Sequence, residues 1–251
     1  MHIDEKALSY MVRLGDNSLI LGHRLSQWCG HGPVLEVDIA LTNTALDLIG
    51  QARTVYEFAA RAKGLTEDHY AYWRDENEFQ NFLITELPKG DFGYTIVRQF
   101  LVDAFQYFLY EKLQSCSHTE IAAFAEKSFK ETSYHLRFSS EWLIRLGDGT
   151  QESHARVAEP LEELWPYTGE MFEDDEIDLY MAENYHCALP SSLKSDWIKK
   201  VDEVFYLAML TKPEHGQWHQ TGGKSGRHTE HLGYILAETQ SLARKHPQAT
   251  W

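Results

Sequence analysis

Apolar residues recur at helical spacing along almost the whole chain, and no stretch alternates apolar and polar residues strictly enough to seed a sheet. That periodicity predicts an all-α protein. A first helix is expected over about Glu5–Trp28, where Leu8, Met11, Leu14, Leu19, Leu21 and Leu25 recur before Gly30, His31, Gly32 and Pro33 end it. The second, about Val34–Ala62, is apolar on most faces (Val37, Ile39, Leu41, Leu46, Leu48, Ile49, Val55, Phe58), the pattern of a helix in the middle of a bundle. A third is expected over about Thr66–Leu87, stopping at Pro88 to Gly90, and a fourth over about Phe92–Gln114, capped by Asp91. Ser117 with Glu120 reads as a capping box for a fifth helix that ends at Gly147, Asp148 and Gly149. Three more follow, about Ser153–Phe172, Asp196–Leu210 and Thr229–Lys245, with loops between them. Long consecutive helices with short connections predict an antiparallel bundle, and with no linker in sight residues 1–251 are expected to form a single domain.

Composition narrows the function classes. Acidic side chains outnumber Lys and Arg by 38 to 23, a net charge of −15 that repels phosphate backbones, so no nucleic-acid partner is expected. Cys29, Cys116 and Cys187 form no CxxC pair and leave an odd count, which supports neither a disulfide framework nor a zinc ribbon. A reducing cytoplasm fits that usage. The N-terminus is acidic where a signal peptide is basic, and no apolar run reaches the ~18 residues of a membrane span, so neither secretion nor membrane insertion is expected.

An all-α bundle can hold two metal ions if two helices each give a carboxylate and two others each give Glu-x-x-His, whose i,i+3 spacing puts both ligands on one face. The second helix offers Asp47, the third Glu78-Phe79-Gln80-Asn81, the fourth Asp103 and the fifth Glu131-Thr132-Ser133-Tyr134. The order is right, but Asn81 and Tyr134 stand where imidazoles would bind iron, and neither is a comparable ligand at neutral pH. The pattern reads as a vacated cage, with no metal and no catalytic residue expected on this chain. An acidic helical chain also presents such spacings by chance, as solvated faces. Lys127, one turn before Glu131, is the candidate counter-charge for a buried carboxylate. His135 lies one residue, a rotation of ~100°, beyond the Glu131 and Tyr134 face, and reads as a structural histidine.

Other motifs are weaker. Glu183-Asn184-Tyr185-His186 has no matching second copy. Gly222-Gly223-Lys224-Ser225-Gly226 lacks the leading glycine and the preceding strand of a phosphate loop. Lys224 and Arg227 remain candidates for meeting an anion, and His228 and His231, flanking Glu230, for helix capping or an interface. No nucleophile–histidine–acid arrangement announces itself.

Several segments match a known family in order. They are Arg13-Leu14-Gly15-Asp16-Asn17, Trp28-Cys29-Gly30-His31-Gly32-Pro33, Leu46-Asp47-Leu48-Ile49-Gly50-Gln51-Ala52-Arg53 and Tyr134-His135-Leu136-Arg137-Phe138-Ser139. Thr221-Gly222-Gly223-Lys224 and His228-Thr229-Glu230-His231-Leu232-Gly233 match as well. From end to end the chain resembles the C-type structural components of the bacterial ring-1,2 phenylacetyl-CoA epoxidases of phenylacetate degradation. The resemblance implies a ferritin-like fold and no cofactor on this chain. It also implies pairing with a homologous catalytic subunit that carries the di-iron centre, further small and reductase subunits, electrons from NADPH, and phenylacetyl-CoA as the complex's substrate. For ligand contacts it points to Glu78, Phe79, Gln80 and Asn81, and to Leu179, Tyr180 and Met181. Gln106 stands where some relatives are expected to carry histidine. The competing reading is a self-sufficient di-iron carboxylate oxidoreductase using Asp47, Glu78, Asp103 and Glu131.

Overall fold

The computed structural model describes residues 4–214 and 218–249. Its helices are α1 (Glu5–Ser26), α2 (Leu35–Lys63), α3 (Leu83–Glu86), α4 (Phe92–Leu113), α5 (Thr119–Gly147), α6 (Gln151–Leu164), α7 (Glu176–Tyr185), α8 (Lys194–Leu207) and α9 (Glu230–Lys245). Short 3₁₀ turns and loops join them, and no strand occurs among the described residues, so the protein is all-α. None of the described helices is long and apolar enough to cross a membrane. The chain divides into two compact units, one of Met1–His31, Leu35–Pro88 and Gly222–Trp251, the other of Gly32–Val34 and Lys89–Thr221.

In the first unit Asp4 caps α1 by accepting hydrogen bonds from the Lys6 and Ala7 amides, each at 3.0 Å. α1 then packs against α2, and glycines set their separation. A Cβ at Gly15 would lie 2.6 Å from Val55, and one at Gly22 would lie 3.2 Å from the Ala45 carbonyl. Gly15 facing residue 55 and Gly22 facing residue 45 make the pair antiparallel.

α1 is buried on nearly every side, Arg13, Asp16, Asn17 and Ser18 included. α2 is not the all-round buried helix its composition predicts, because Leu35, Ile39 and Leu46 are 71%, 51% and 61% exposed. Apolar content cannot say which helix is central when several are rich in Leu, Val and Ala.

The expected third helix, Thr66–Leu87, is broken. Residues 69–73 form a π-turn, 76–78 a 3₁₀ turn, and only Leu83–Glu86 is α-helical. Buried Arg74 is the cause. Its backbone is extended, and its guanidinium donates to the Tyr70 carbonyl at 2.8 Å and the Glu78 carbonyl at 3.0 Å. Those carbonyls need no helical partner, so the chain wraps around the cation instead of coiling.

The second unit centres on α4, which is buried continuously from Gly93 to Gln106 and packs against α5, α6 and α8. Phe100 meets Phe205 of α8 at 6.0 Å, and the Trp197 indole donates to the Leu101 carbonyl at 3.0 Å. α5 starts at Thr119 behind His118, which gives no side-chain cap, so the Ser117–Glu120 box does not form. The helix expected to Phe172 stops being α-helical at Leu164, one residue before the Trp165-Pro166-Tyr167 turn. α7 lies in a stretch expected to be loop. Its sequence signal was Asp175-x-x-Asp178, a reciprocal cap here, with left-handed His186 closing the other end.

The cysteine expectation is corrected as well. Cys116 and Cys187, 71 residues apart, form a disulfide with a Cα separation of 4.7 Å, while Cys29 is exposed and free. The α4–α5 turn is held beside the end of α7 by a hydrogen bond from the Ser117 amide to the Tyr185 carbonyl at 2.8 Å. Sequence spacing carries no trace of that juxtaposition.

Candidate functional site

The inward face of α5 is one residue out of register with the spacing argument. Tyr134 is 42% exposed, stacked beside Phe138 and under Arg137, whereas His135 is buried with Ser128, Thr132 and Ser139. Glu131 is half-buried and pairs with exposed Lys127 at 3.8 Å, so the proposed counter-charge is real but lies in a surface ion pair worth little. On α4 Asp103 does point inward. Its carboxylate accepts from Gln99 Nε2 at 2.6 Å and Ser139 Oγ at 2.8 Å.

Burial pushes the Asp103 carboxyl up to about 6, against the opposing pull of His135 and of the hydrogen bonds from Ser139 and Gln99. The folded chain therefore holds this proton more tightly than the unfolded chain, and stability falls as pH rises from the ordinary value of 3.8 to about 6. At neutral pH the ionised group is a net cost. Asp103→Asn should raise the unfolding free energy by about 1–3 kcal/mol in urea titrations at neutral pH. The gain should vanish in acid, where wild-type Asp103 is protonated; a gain independent of pH would contradict the assignment.

The second polar cluster surrounds Glu86, which the spacing argument missed. Its buried carboxylate accepts from His228 Nδ1 at 2.9 Å, the Thr229 amide at 2.6 Å and Asn81 Nδ2 at 2.9 Å. Thr229 is the N-cap of α9, so this carboxylate anchors the start of the last helix. His228 has its side chain fully buried, and its Nε2 faces the Phe79 carbonyl at 2.9 Å. Both ring nitrogens point at acceptors, which describes an imidazolium. Burial disfavours that charge, but the Glu86 hydrogen bond and charge, the Phe79 carbonyl and Glu76 together hold the pKa above the ordinary histidine value.

The glycines before His228 serve packing. A Cβ at Gly223 would lie 2.1 Å from the Asn81 carbonyl, and one at Gly226 would lie 2.3 Å from that of Asn77. The loop is built against residues 77–81, and Arg227 is exposed, hydrogen-bonded to Ser225 at 3.4 Å. Lys224 and His231 are partly exposed, and the His231 carbonyl accepts from Arg24 at 3.4 Å.

The third cluster is Asp16, Tyr56 and Arg74, all buried. Asp16 accepts from Tyr56 at 2.6 Å, from Arg74 Nη1 at 3.0 Å and from the Gln80 amide at 2.9 Å. Arg74 also lies 4.1 Å over the Phe79 ring. Burial and the Asp16 charge keep Tyr56 protonated, with a pKa well above the ordinary phenol.

The remaining sequence candidates scatter. Asp47 is half-buried on α2. Glu78 is exposed and accepts from the Asp75 amide at 2.7 Å, and with the third helix broken it does not share a helical face with Asn81. Phe79 and Asn81 are core residues and Gln80 is half-buried. Leu179 is 53% exposed, Tyr180 is half-buried and Met181 is buried, in the other compact unit.

A dinuclear iron centre needs carboxylates and imidazoles converging on one place. Among the described residues no three His, Cys, Asp or Glu side chains group in that way. Asp103 meets an amide and a hydroxyl, and both His228 nitrogens are engaged, so the residues present do not fit such a centre.

Comparison with known proteins finds similarity along nearly the whole chain. The chain is 44% identical over 244 residues to the C component of the 1,2-phenylacetyl-CoA epoxidase of Escherichia coli (strain K12), covering 97% of this chain and 98% of that protein. Residues 2–251 match the model of the phenylacetic acid catabolic protein family, whose members are ferritin-like helical proteins. With the match running through every helix described above, the chain belongs to the phenylacetic acid catabolic protein family.

Proposed function

We propose that this chain is the non-catalytic, structural subunit of a multicomponent phenylacetyl-CoA epoxidase of phenylacetate catabolism. In this reading it pairs with and stabilises a homologous di-iron subunit, with small and reductase subunits making up the rest of the assembly. The observation that carries the reading is the chemistry around Asp103. Where a carboxylate-bridged metal would need imidazoles, Asp103 is tied to Gln99 and Ser139, hydrogen-bonding partners that do not replace metal ligands. The acyl-CoA and the assembly come from the identity of the Escherichia coli relative, a subunit of 1,2-phenylacetyl-CoA epoxidase. The cytoplasm, where NADPH is available, is part of the proposal.

The experiment is co-purification with the neighbouring subunit, separation of the chains and iron analysis of each. Iron should travel with the partner alone, and the partner expressed by itself should be poorly soluble or inactive, as expected of proteins stable only in complex. A dinuclear iron complement on this chain, with oxygenation by it alone, would establish the self-sufficient oxidoreductase instead.

A further inference from the structure

α4 and α5 run antiparallel, with Phe92 against Trp142 at 5.2 Å, Tyr107 against Phe129 at 4.9 Å and Tyr110 against Phe124 at 5.5 Å. Between them lies a polar stripe. Gln99, Asp103 and Gln106 follow each other at helical spacing on α4, and Ser128, Thr132, His135 and Ser139 do so on α5. All are buried, and the stripe is about 10–16 Å long at 1.5 Å per residue.

Four atoms on it have no hydrogen-bond partner among the described residues: Gln99 Oε1, Gln106 Oε1, Ser128 Oγ and Thr132 Oγ1. A dry interior would make each a liability of about 1–3 kcal/mol, and together they would consume much of the ~5–15 kcal/mol by which a domain is stable. Chemistry selects the occupant. Amide oxygens only accept, and hydroxyls both donate and accept, so the smallest group that completes all four is one that does both. A metal cation is a poor match, because Gln99 and Ser139 already donate to the two Asp103 oxygens and occupy the strongest anionic ligand.

We propose that the α4–α5 seam is a binding site for a short file of ordered water molecules, held by Gln99 Oε1, Gln106 Oε1, Ser128 Oγ and Thr132 Oγ1 and reaching the Asp103 carboxyl group. Buried water of this kind is common wherever polar groups line a helix seam. The inference stands on the orphaned atoms of this chain and is independent of the structural-subunit reading.

The test is a high-resolution crystal structure of the full chain, with its partner where the two purify together, beside Thr132→Val, Ser128→Ala and Gln106→Met. Wild type should show water bridging the four atoms, and each variant should lose the water on its own atom. Thr132→Val should melt about 2–4 °C lower, since a methyl replaces a hydrogen-bonded hydroxyl. Ser128→Ala, the smallest change, keeps the test readable if a larger one prevents folding. A seam without water, with variants that melt higher because an unpaired burden is gone, would overturn the proposal. So would density with metal-coordination geometry together with a melting temperature that depends on the cation supplied.

Discussion

Replacing Arg74 by methionine should lower the unfolding free energy by about 3–5 kcal/mol, because it leaves the Asp16 carboxylate buried without its counter-charge. The loss has three parts. Asp16 keeps only the Tyr56 hydroxyl and the Gln80 amide as donors among these contacts. The Tyr70 and Glu78 carbonyls lose the donors that allow the chain to leave helical conformation. The guanidinium also leaves its place between Tyr56, Tyr70 and Phe79. Arg74→Lys should rescue only part, since a point ammonium cannot reproduce the forked contact. The double change Asp16→Leu with Arg74→Met should recover part of the loss by removing both buried charges. Urea unfolding of the set measures this; a single mutant within about 1 kcal/mol of wild type would mean the pair behaves like a surface one.

The second large effect is at His228 and is tied to pH. His228→Ala should cost about 2–4 kcal/mol in mildly acid buffer, where the imidazolium bridges Glu86 and the Phe79 carbonyl. Because the folded pKa lies above the unfolded value of 6.5, that stabilisation is complete below 6.5 and is lost as pH rises through the folded value. The penalty of the mutation should therefore shrink in alkaline buffer. The groups facing the ring are Glu86 and the Phe79 carbonyl, with Glu76 acting through its charge. Loss should begin locally. α9 is tied to residues 71–75 by Gln240, which donates to the Ala71 and Arg74 carbonyls at 3.1 Å, and by Arg244, which donates to Asp75 at 2.9 Å. Hydrogen exchange should show the first turn of α9 opening with rising pH, ahead of α1. Equal protection of α9 at all pH values would exclude His228 as the titrating anchor.

Some of this was legible in advance. Asp91 acts as a cap, and Gly90, Pro88 and the Gly147 region end helices, because caps and breakers work within a few residues of themselves. Asp103, a carboxylate in an apolar helix, was also visible as a group needing compensation. Its partners were not. Gln99 is one turn away on the same helix, but Ser139 is 36 residues distant. The expected Glu131–Tyr134 face missed by a single residue, since periodicity reveals that a helix has a preferred side but a rotation of ~100° per residue separates His135 from Tyr134.

By itself, then, the amino-acid order determined the all-α class, most helix ends and the membership of the phenylacetic acid catabolic protein family. Those features rest on short-range propensities and on matched strings of residues. Only the tertiary structure decided that Arg74 breaks the expected third helix, that Glu86 receives His228 from 142 residues away, and that Cys116 meets Cys187. Each is a pairing of distant groups whose energy comes from burial, and burial exists only after the chain has packed.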